Sequence, residues 1–318
     1  MKRKGIPIIT WTLLTLLVAC SPTLRPPPTP TRSKGVFEPL NVPSSPNGNA
    51  LRLIASDYPL VDGSTSAQPL QMLVACQISG ATCEWTDFLG QYAIYPTPNV
   101  SGKAWLYDLQ HSGTHTAYVN LIQGGADFIL VAREPSDDEL EAAKGEGVVL
   151  DARPVARDAF VFFVNQDNPV NGLAMDTLRD IYTGRLTTWT KTGQPIQPYV
   201  RNPNSGSQEL MESLVMRGEE MLNAPNLDTM MLLSMIGPVN AVAEDPAGIA
   251  YSVYYYTVYI LPTEGLRLIA IDNVFPTPKT IADGSYPLTT EVYAVIREDT
   301  SKTSTARLLR DWLLTEEG

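Results

Sequence analysis

Three short stretches of small hydroxyl residues and glycine stand where a strand-like run gives way to a helix-like one. They are Ser64-Thr65-Ser66, Ser112-Gly113-Thr114 and Ser205-Gly206-Ser207. A helix start leaves its first backbone N–H groups without intrahelical partners, and the macrodipole places partial positive charge there. Hydroxyls in such a turn add further donors, and the combination favours an anion. Each stretch read alone also fits an ordinary N-cap, where Ser and Thr are common. The third carries more. Ser205 with Gln208 three residues on fits a capping box, and Arg201 stands beside the same helix start. Arginine there supplies a forked, permanently charged donor suited to recognising an anion. If the three turns converge, they form a ring of N–H and O–H donors around an oxyanion.

The elements that must position these turns alternate along the chain. The first turn follows Asp62-Gly63 and opens a helix over 69–76. The second precedes a helical pattern carried by Ala117, Tyr118, Leu121 and Ile122. The third follows a strand over 195–201 and opens a helix whose buried face is Leu210, Met211, Leu214 and Val215. Leu51, Leu53 and Ile54 read as a first strand. Gly125 to Val131 reads as a turn into a buried strand that ends at Ala132-Arg133-Glu134. A helix over 136–144 has Ser136 as its cap and acidic residues in its first turn, which is dipole chemistry. The strongest strand lies over 155–165, around Phe160 to Val164. A short helix over 177–182 closes at Gly184. Tyr254-Tyr255-Tyr256 reads as a strand packed on both faces, with further strands over 266–271 and 292–296. The last helix carries Ala306, Leu308, Leu309, Trp312 and Leu313. Strands alternating with helices give an α/β architecture.

A net charge of −11, without any Lys/Arg-rich run, excludes a nucleic-acid surface. Local donors can still outweigh that charge for a small anion. Lys2, Arg3 and Lys4 followed by an apolar run over 6–19 form an export signal too short to span a membrane comfortably. The run ends in Leu17-Val18-Ala19-Cys20, which looks like a bacterial lipobox; that likeness implies cleavage before Cys20 and lipid on its thiol. Residues 20–50, rich in Pro, Thr, Ser and Asn, cannot bury enough surface to fold and read as a tether. In an exported compartment, Cys76 and Cys83 flank a turn-like segment and read as a local disulfide.

Catalytic signatures are lacking. There is no Gly-x-Ser-x-Gly elbow, no His-Glu-x-x-His and no P-loop lysine. His111 and His115 are the only histidines, so a Ser–His pair would have to come from one turn, and both read as surface or capping residues. No cofactor or metal site is expected.

The order Gly63-Ser64-Thr65-Ser66, Ser112-Gly113-Thr114, Arg201 with Ser205-Gly206-Ser207, Gly248-Ile249-Ala250-Tyr251 and Tyr286-Pro287-Leu288 resembles the phosphate-binding proteins of bacterial ABC importers. Ile181-Tyr182-Thr183-Gly184-Arg185 with Trp189 is similar to a second-lobe motif of that family. The resemblance covers residues 51–318. It implies a two-lobed, type II periplasmic-binding-protein-like α/β fold with hinge strands, lobe one being 51–155 plus 257–318 and lobe two 156–256. It implies a ligand shell of Ser64, Thr65, Ser66, Ser112, Gly113, Thr114, Arg201, Ser205, Gly206 and Ser207. It also implies an ABC permease as partner, at the outer face of the membrane that holds the Cys20 anchor. Where the family carries an acidic acceptor for the proton of hydrogen phosphate, this chain has Ala132-Arg133, with Glu134 beside it. Arg133 is therefore expected either to pair with a more fully ionised oxyanion or to point away and close an interlobe salt bridge. A surface sensor on the same fold is the other function compatible with these residues, and a hydrolase is a third.

Overall fold

The computed structural model describes residues 53–54, 56–80, 109–222, 235–261, 264–316 and 318, together with the backbone of three strands at 36–37, 83–88 and 91–96. The export signal, Cys20 and most of the expected tether lie outside the described residues, as does the side chain of Cys83.

In chain order the first elements are β1 (Val36–Phe37), β2 (Val61–Gly63), a 3-10 turn (Thr65–Ala67) and α1 (Gln68–Ser79). Next come β3 (Cys83–Phe88), β4 (Gln91–Pro96), α2 (Thr114–Gln123), β5 (Phe128–Val131), α3 (Asp137–Gly145) and β6 (Leu150–Asn165). The middle of the chain holds β7 (Gly172–Leu173), α4 (Met175–Tyr182), β8 (Gln197–Pro198) and α5 (Gly206–Leu210), which widens into a π-helical turn at Met211–Met216. Then follow α6 (Gly237–Glu244), β9 (Gly248–Val253), a second π-helical turn (Tyr256–Ile260), β10 (Leu266–Leu268) and β11 (Ala270–Ile271). The chain closes with α7 (Pro278–Ala282), β12 (Thr289–Arg297) and α8 (Thr305–Leu313). No helix among the described residues is long and apolar enough to cross a membrane.

The main sheet runs in the order β2-β5-β12-β6-β9-β8, with β10 on the side of β6, and β6 makes it two-lobed. Its first part, Leu150 to Ala159, pairs antiparallel with β12. Its second part, Phe160 to Val164, pairs antiparallel with β9. One strand thus belongs to both lobes, and the chain crosses from one to the other near Ala159. It returns at Leu288, whose carbonyl accepts the Phe160 N–H at 2.8 Å. Burial follows this division: the first part of β6 is half exposed, and every residue from Ala159 onward is buried.

Alternation along β5 explains why helices cover both faces of the first lobe. Phe128 and Leu130 pack with Val74, Ile78, Leu309 and Trp312 beneath α1 and α8. Ile129 and Val131 face the other way, against Ala117, Tyr118 and Leu121 of α2. The second lobe has its own core, where Phe160, Phe162, Tyr182 and Tyr251 meet edge-on with ring centroids 5.3 to 6.1 Å apart. Val258, Ile260, Ile269, Ile271, Ile281, Tyr286 and Leu288 pack into this second core. Hydrophobic packing therefore puts the segment up to Leu288 with lobe two, where the sequence reading had assigned 257–318 to lobe one; only the last part, from β12 onward, rejoins the first lobe.

Three further expectations are corrected. The tyrosine run is not a strand: β9 ends at Val253 and the chain turns helical from Tyr254. The reason is an acceptor from another element, the Asp158 carboxylate, which takes the Tyr255 N–H at 3.0 Å and so caps the turn. Helical spacing then brings the Tyr255 and Tyr259 rings to 5.1 Å, a pairing a strand would not allow. The strand expected over 266–271 breaks at Ile269, because its two halves pair with different partners, β6 and β7. Leu53 and Ile54 are irregular, with Leu53 held in the first core by its N–H on the Ile78 carbonyl at 3.3 Å.

Candidate anion-binding site

The three hydroxyl-rich turns face one another across a cleft of about 400 Å³. Its first-lobe wall is Ser64 to Ser66 and Ser112 to Thr116; its second-lobe wall is Arg201 to Ser207, with Met235. All the expected ligand residues except Arg133 line it. Each turn opens a helix: Ser64 precedes the 3-10 turn that leads into α1, Gly113 is the N-cap of α2 and Ser205 that of α5. The starts of three helical segments thus line one space, where unpaired first-turn N–H groups concentrate.

The first wall is built around Asp62, which is 2 % exposed. Its Oδ1 accepts the N–H of Gly63 at 2.7 Å and of Ser112 at 2.8 Å. Its Oδ2 accepts the Ser112 hydroxyl at 2.6 Å and the Asn120 amide at 2.7 Å. A second tie, from the Gly113 N–H to the Gly63 carbonyl at 3.1 Å, fixes the 112–114 turn beside β2. Gly113 has φ +100°, a backbone state that needs glycine, and it aims the start of α2 at the cleft. Ser112 therefore lines the cleft with its own donors already engaged by Asp62, so its hydroxyl oxygen is what it turns to a ligand. Ser64 and Ser66 lie with their hydroxyls 3.2 Å apart.

On the second wall Ser205 caps α5, its hydroxyl accepting the Gln208 N–H at 3.2 Å. The reciprocal half of the expected capping box is not made. Instead the Gln208 side-chain Oε1 accepts the Arg201 N–H at 3.2 Å, and the Tyr251 hydroxyl accepts it at 3.1 Å, so Arg201 is anchored by its backbone. The residue is 7 % exposed, and its guanidinium sits in a setting poor in acceptors. Nη1 reaches the Met235 sulfur at 3.1 Å, Nη2 only the Asn202 side chain at 3.4 Å, and Nε is buried without a partner. Burial pulls its pKa below the ordinary arginine value, the nearby Tyr251 and Tyr256 opposing this only in part. No carboxylate lines the cleft among the described residues. A buried cation aimed at a space ringed by donors and lacking a counter-charge can be compensated by an anion.

Arg133 does not line the cleft. Its guanidinium forks onto the fully buried Glu139 carboxylate at 2.8 and 2.9 Å, and it approaches Glu209 of the other lobe only at 3.9 Å. Burial works against its charge, but the hydrogen bonds and charge of Glu139 outweigh that and raise its pKa. Of the two roles expected, ligand contact is replaced by a structural ion pair with a long interlobe reach. His115, read from sequence as a surface or capping residue, lines the cleft, and its Nδ1 lies 3.0 Å from Glu139 Oε1. The acidic start of α3 thus has a second role, since Glu139 holds both His115 and Arg133. No local pattern in the sequence links residues 24 positions apart, so this pair was illegible. Asp62 was in plain view beside the first turn, and its small hydroxyl neighbours were the signal that hid it.

The lobes touch across the cleft at Gly206, where a Cβ atom would collide with the Thr114 hydroxyl. Gly206→Ala is therefore expected to weaken ligand binding about tenfold or more by holding the lobes apart. Alanine in a first helical turn is otherwise favourable by about 1 kcal/mol, so the ligand-free protein should not lose stability. Calorimetric titration beside thermal denaturation separates the two effects; unchanged affinity would mean that ligand binding does not need this close approach.

Residues 60–317 match the family model described as PBP superfamily domain. Phosphate-binding protein PstS of Staphylococcus saprophyticus is 27% identical over 198 residues, covering 59% of this chain and 60% of that protein. The corresponding protein of Staphylococcus haemolyticus is 27% identical over 202 residues, with 60% and 61% covered. The chain thus spans about 60% of the length of these curated relatives. Among solved structures, a substrate-binding protein with bound phosphate from Clostridium perfringens superposes with a TM-score of 0.59 at 21% identity, covering 81% of this chain and 93% of that one. An ABC-type phosphate transport receptor from Vibrio cholerae gives a TM-score of 0.55 at 21% identity over the same shares. At that identity the structures speak for the fold.

Proposed function

The chain belongs to the PBP superfamily, and on that premise we propose that it is a solute-binding protein that captures a small oxyanion, phosphate foremost, for an ABC importer. The observation that carries this reading is Arg201: a buried guanidinium with an unpartnered Nε, facing a cleft whose lining holds no carboxylate among the described residues. Ser64, Thr65, Ser66, Gly113, Thr114, Ser205, Gly206 and Ser207 would supply N–H and O–H donors around the anion, with Ser112 holding the second turn in place. Ligand gripped by both walls favours the closed arrangement of the lobes over the open one by its differential affinity. The printed names of the relatives support phosphate as the first anion to test.

The same reading places the protein outside the cytoplasmic membrane, held by lipid on Cys20 through the 20–50 tether, with an ABC permease as partner and a Cys76–Cys83 disulfide closing the loop after α1. These rest on the sequence features given above. Catalysis is disfavoured by geometry, because the Ser112 hydroxyl donates to Asp62 and not to a histidine that could act as its base.

Calorimetric titration of the purified chain with phosphate, sulfate, molybdate and tungstate tests the proposal. Binding of phosphate near the micromolar level, roughly −8 kcal/mol, is the expected result. The absence of heat and of thermal stabilisation with all four anions would overturn it.

A further inference from the structure

Hydrogen phosphate carries a P–OH group that must find an acceptor, whereas sulfate at neutral pH has no proton to give. The described lining of the cleft has no carboxylate to accept it. Apart from Arg201, the titratable side chain in that lining is His115. Its Nδ1 lies 3.0 Å from Glu139 Oε1. A carboxylate only accepts, so Nδ1 carries a hydrogen, and in the neutral ring the lone pair falls to Nε2. Nε2 is then the polar atom the ring can offer the cleft. Glu139 is itself immobilised, by the Arg133 fork at 2.8 and 2.9 Å and by the Ser136 N–H at 2.9 Å, so the ring's tautomer is set by a rigid partner.

We propose that His115 is a specificity-determining residue of the cleft: its Nε2 accepts the proton of a protonated oxyanion such as hydrogen phosphate. The inference deepens the oxyanion reading of the cleft and rests on it. Facing a fully ionised anion, the Nε2 lone pair meets another lone pair and opposes binding, which is selection by repulsion. The charged groups around the ring are Glu139 and Asp138 of α3, Arg133 behind Glu139, Glu209 of α5 and Arg201 on the opposite wall.

The test is calorimetric titration of the full chain with inorganic phosphate and with sulfate at one neutral pH, for the native protein, His115→Ala and His115→Gln. The native preference for phosphate over sulfate is expected to drop about tenfold in His115→Ala. His115→Gln, whose amide oxygen can accept, should keep part of that preference. Thermal denaturation of each variant confirms folding, and the ring is exposed enough to be replaced without loss of the core. A native preference that survives unchanged in His115→Ala overturns the proposal and would assign the acceptor to the Ser112 hydroxyl oxygen. If the native protein binds neither anion, the oxyanion reading itself fails and this inference falls with it.

Discussion

Replacing Arg201 by methionine is expected to abolish phosphate binding while leaving the ligand-free protein at least as stable as the native one. The two effects come from the same fact. Arg201 is buried, its Nε has no partner, and its terminal nitrogens reach only a thioether and a distant amide. A charge buried without compensation costs free energy, and exchanging it for an apolar side chain of similar length is commonly neutral or stabilising by about 1–4 kcal/mol. Ligand changes the sign of its contribution. Charge-assisted hydrogen bonds contribute about 1.5–3 kcal/mol each, so losing two of them weakens binding by about 3–6 kcal/mol, or about a hundredfold to ten-thousandfold. Thermal denaturation with and without phosphate reads both. The native protein should be stabilised by saturating phosphate and the variant should not, while the variant's ligand-free midpoint should stay level or rise. Phosphate affinity within tenfold of native in Arg201→Met would remove the basis for placing the anion in this cleft.

Much of this site was legible because its chemistry is local. A helix start needs only a few consecutive residues, so Ser64 to Ser66, Ser112 to Thr114 and Ser205 to Ser207 could be read as three turns before their convergence was known. Arg201 was legible for the same reason, standing four residues before a cap. Illegible were the contacts that topology creates. Glu139 looked like an acidic first turn, and that is true of its place on α3, yet its carboxylate is spent on Arg133 and His115. The tyrosine run carried genuine strand propensity, and a single acceptor from β6, Asp158, sufficed to start a helix there. The extent of β6 was underestimated, because its first half is exposed and charged and keeps strand geometry only through its pairing with β12. Propensity reads faces and turns; it does not read which distant carboxylate arrives to satisfy them.

Asp62→Ala should then be among the most damaging single substitutions in the first lobe, although Asp62 does not line the cleft. Its carboxylate accepts four hydrogen bonds of 2.6 to 2.8 Å, from Gly63, Ser112 twice and Asn120. Removing one side chain leaves four donors to find new partners, the Gly63 N–H in a buried setting and the others in a part-buried one. Each unsatisfied buried group costs about 1–3 kcal/mol, and partial rescue by water keeps the expected loss at about 3–5 kcal/mol. Urea denaturation measures it, and a loss below about 1 kcal/mol would mean that Asp62 is not the organiser of this wall. Affinity for the anion is pulled in two directions. Deleting a negative charge near the cleft favours an anion, but Asp62 already serves four donors, which spread that charge and weaken its field. Against this, the 112–114 turn loses two of its three ties to β2 when the carboxylate goes, and Asn120 of α2 loses its own, so the aim of the α2 start goes with them. Position should win, so affinity falls. Asp62→Asn separates the terms: it removes the charge and keeps one acceptor, and is expected to lie between the native protein and Asp62→Ala in both stability and affinity. A rise in affinity for the asparagine variant would instead make charge repulsion the larger effect.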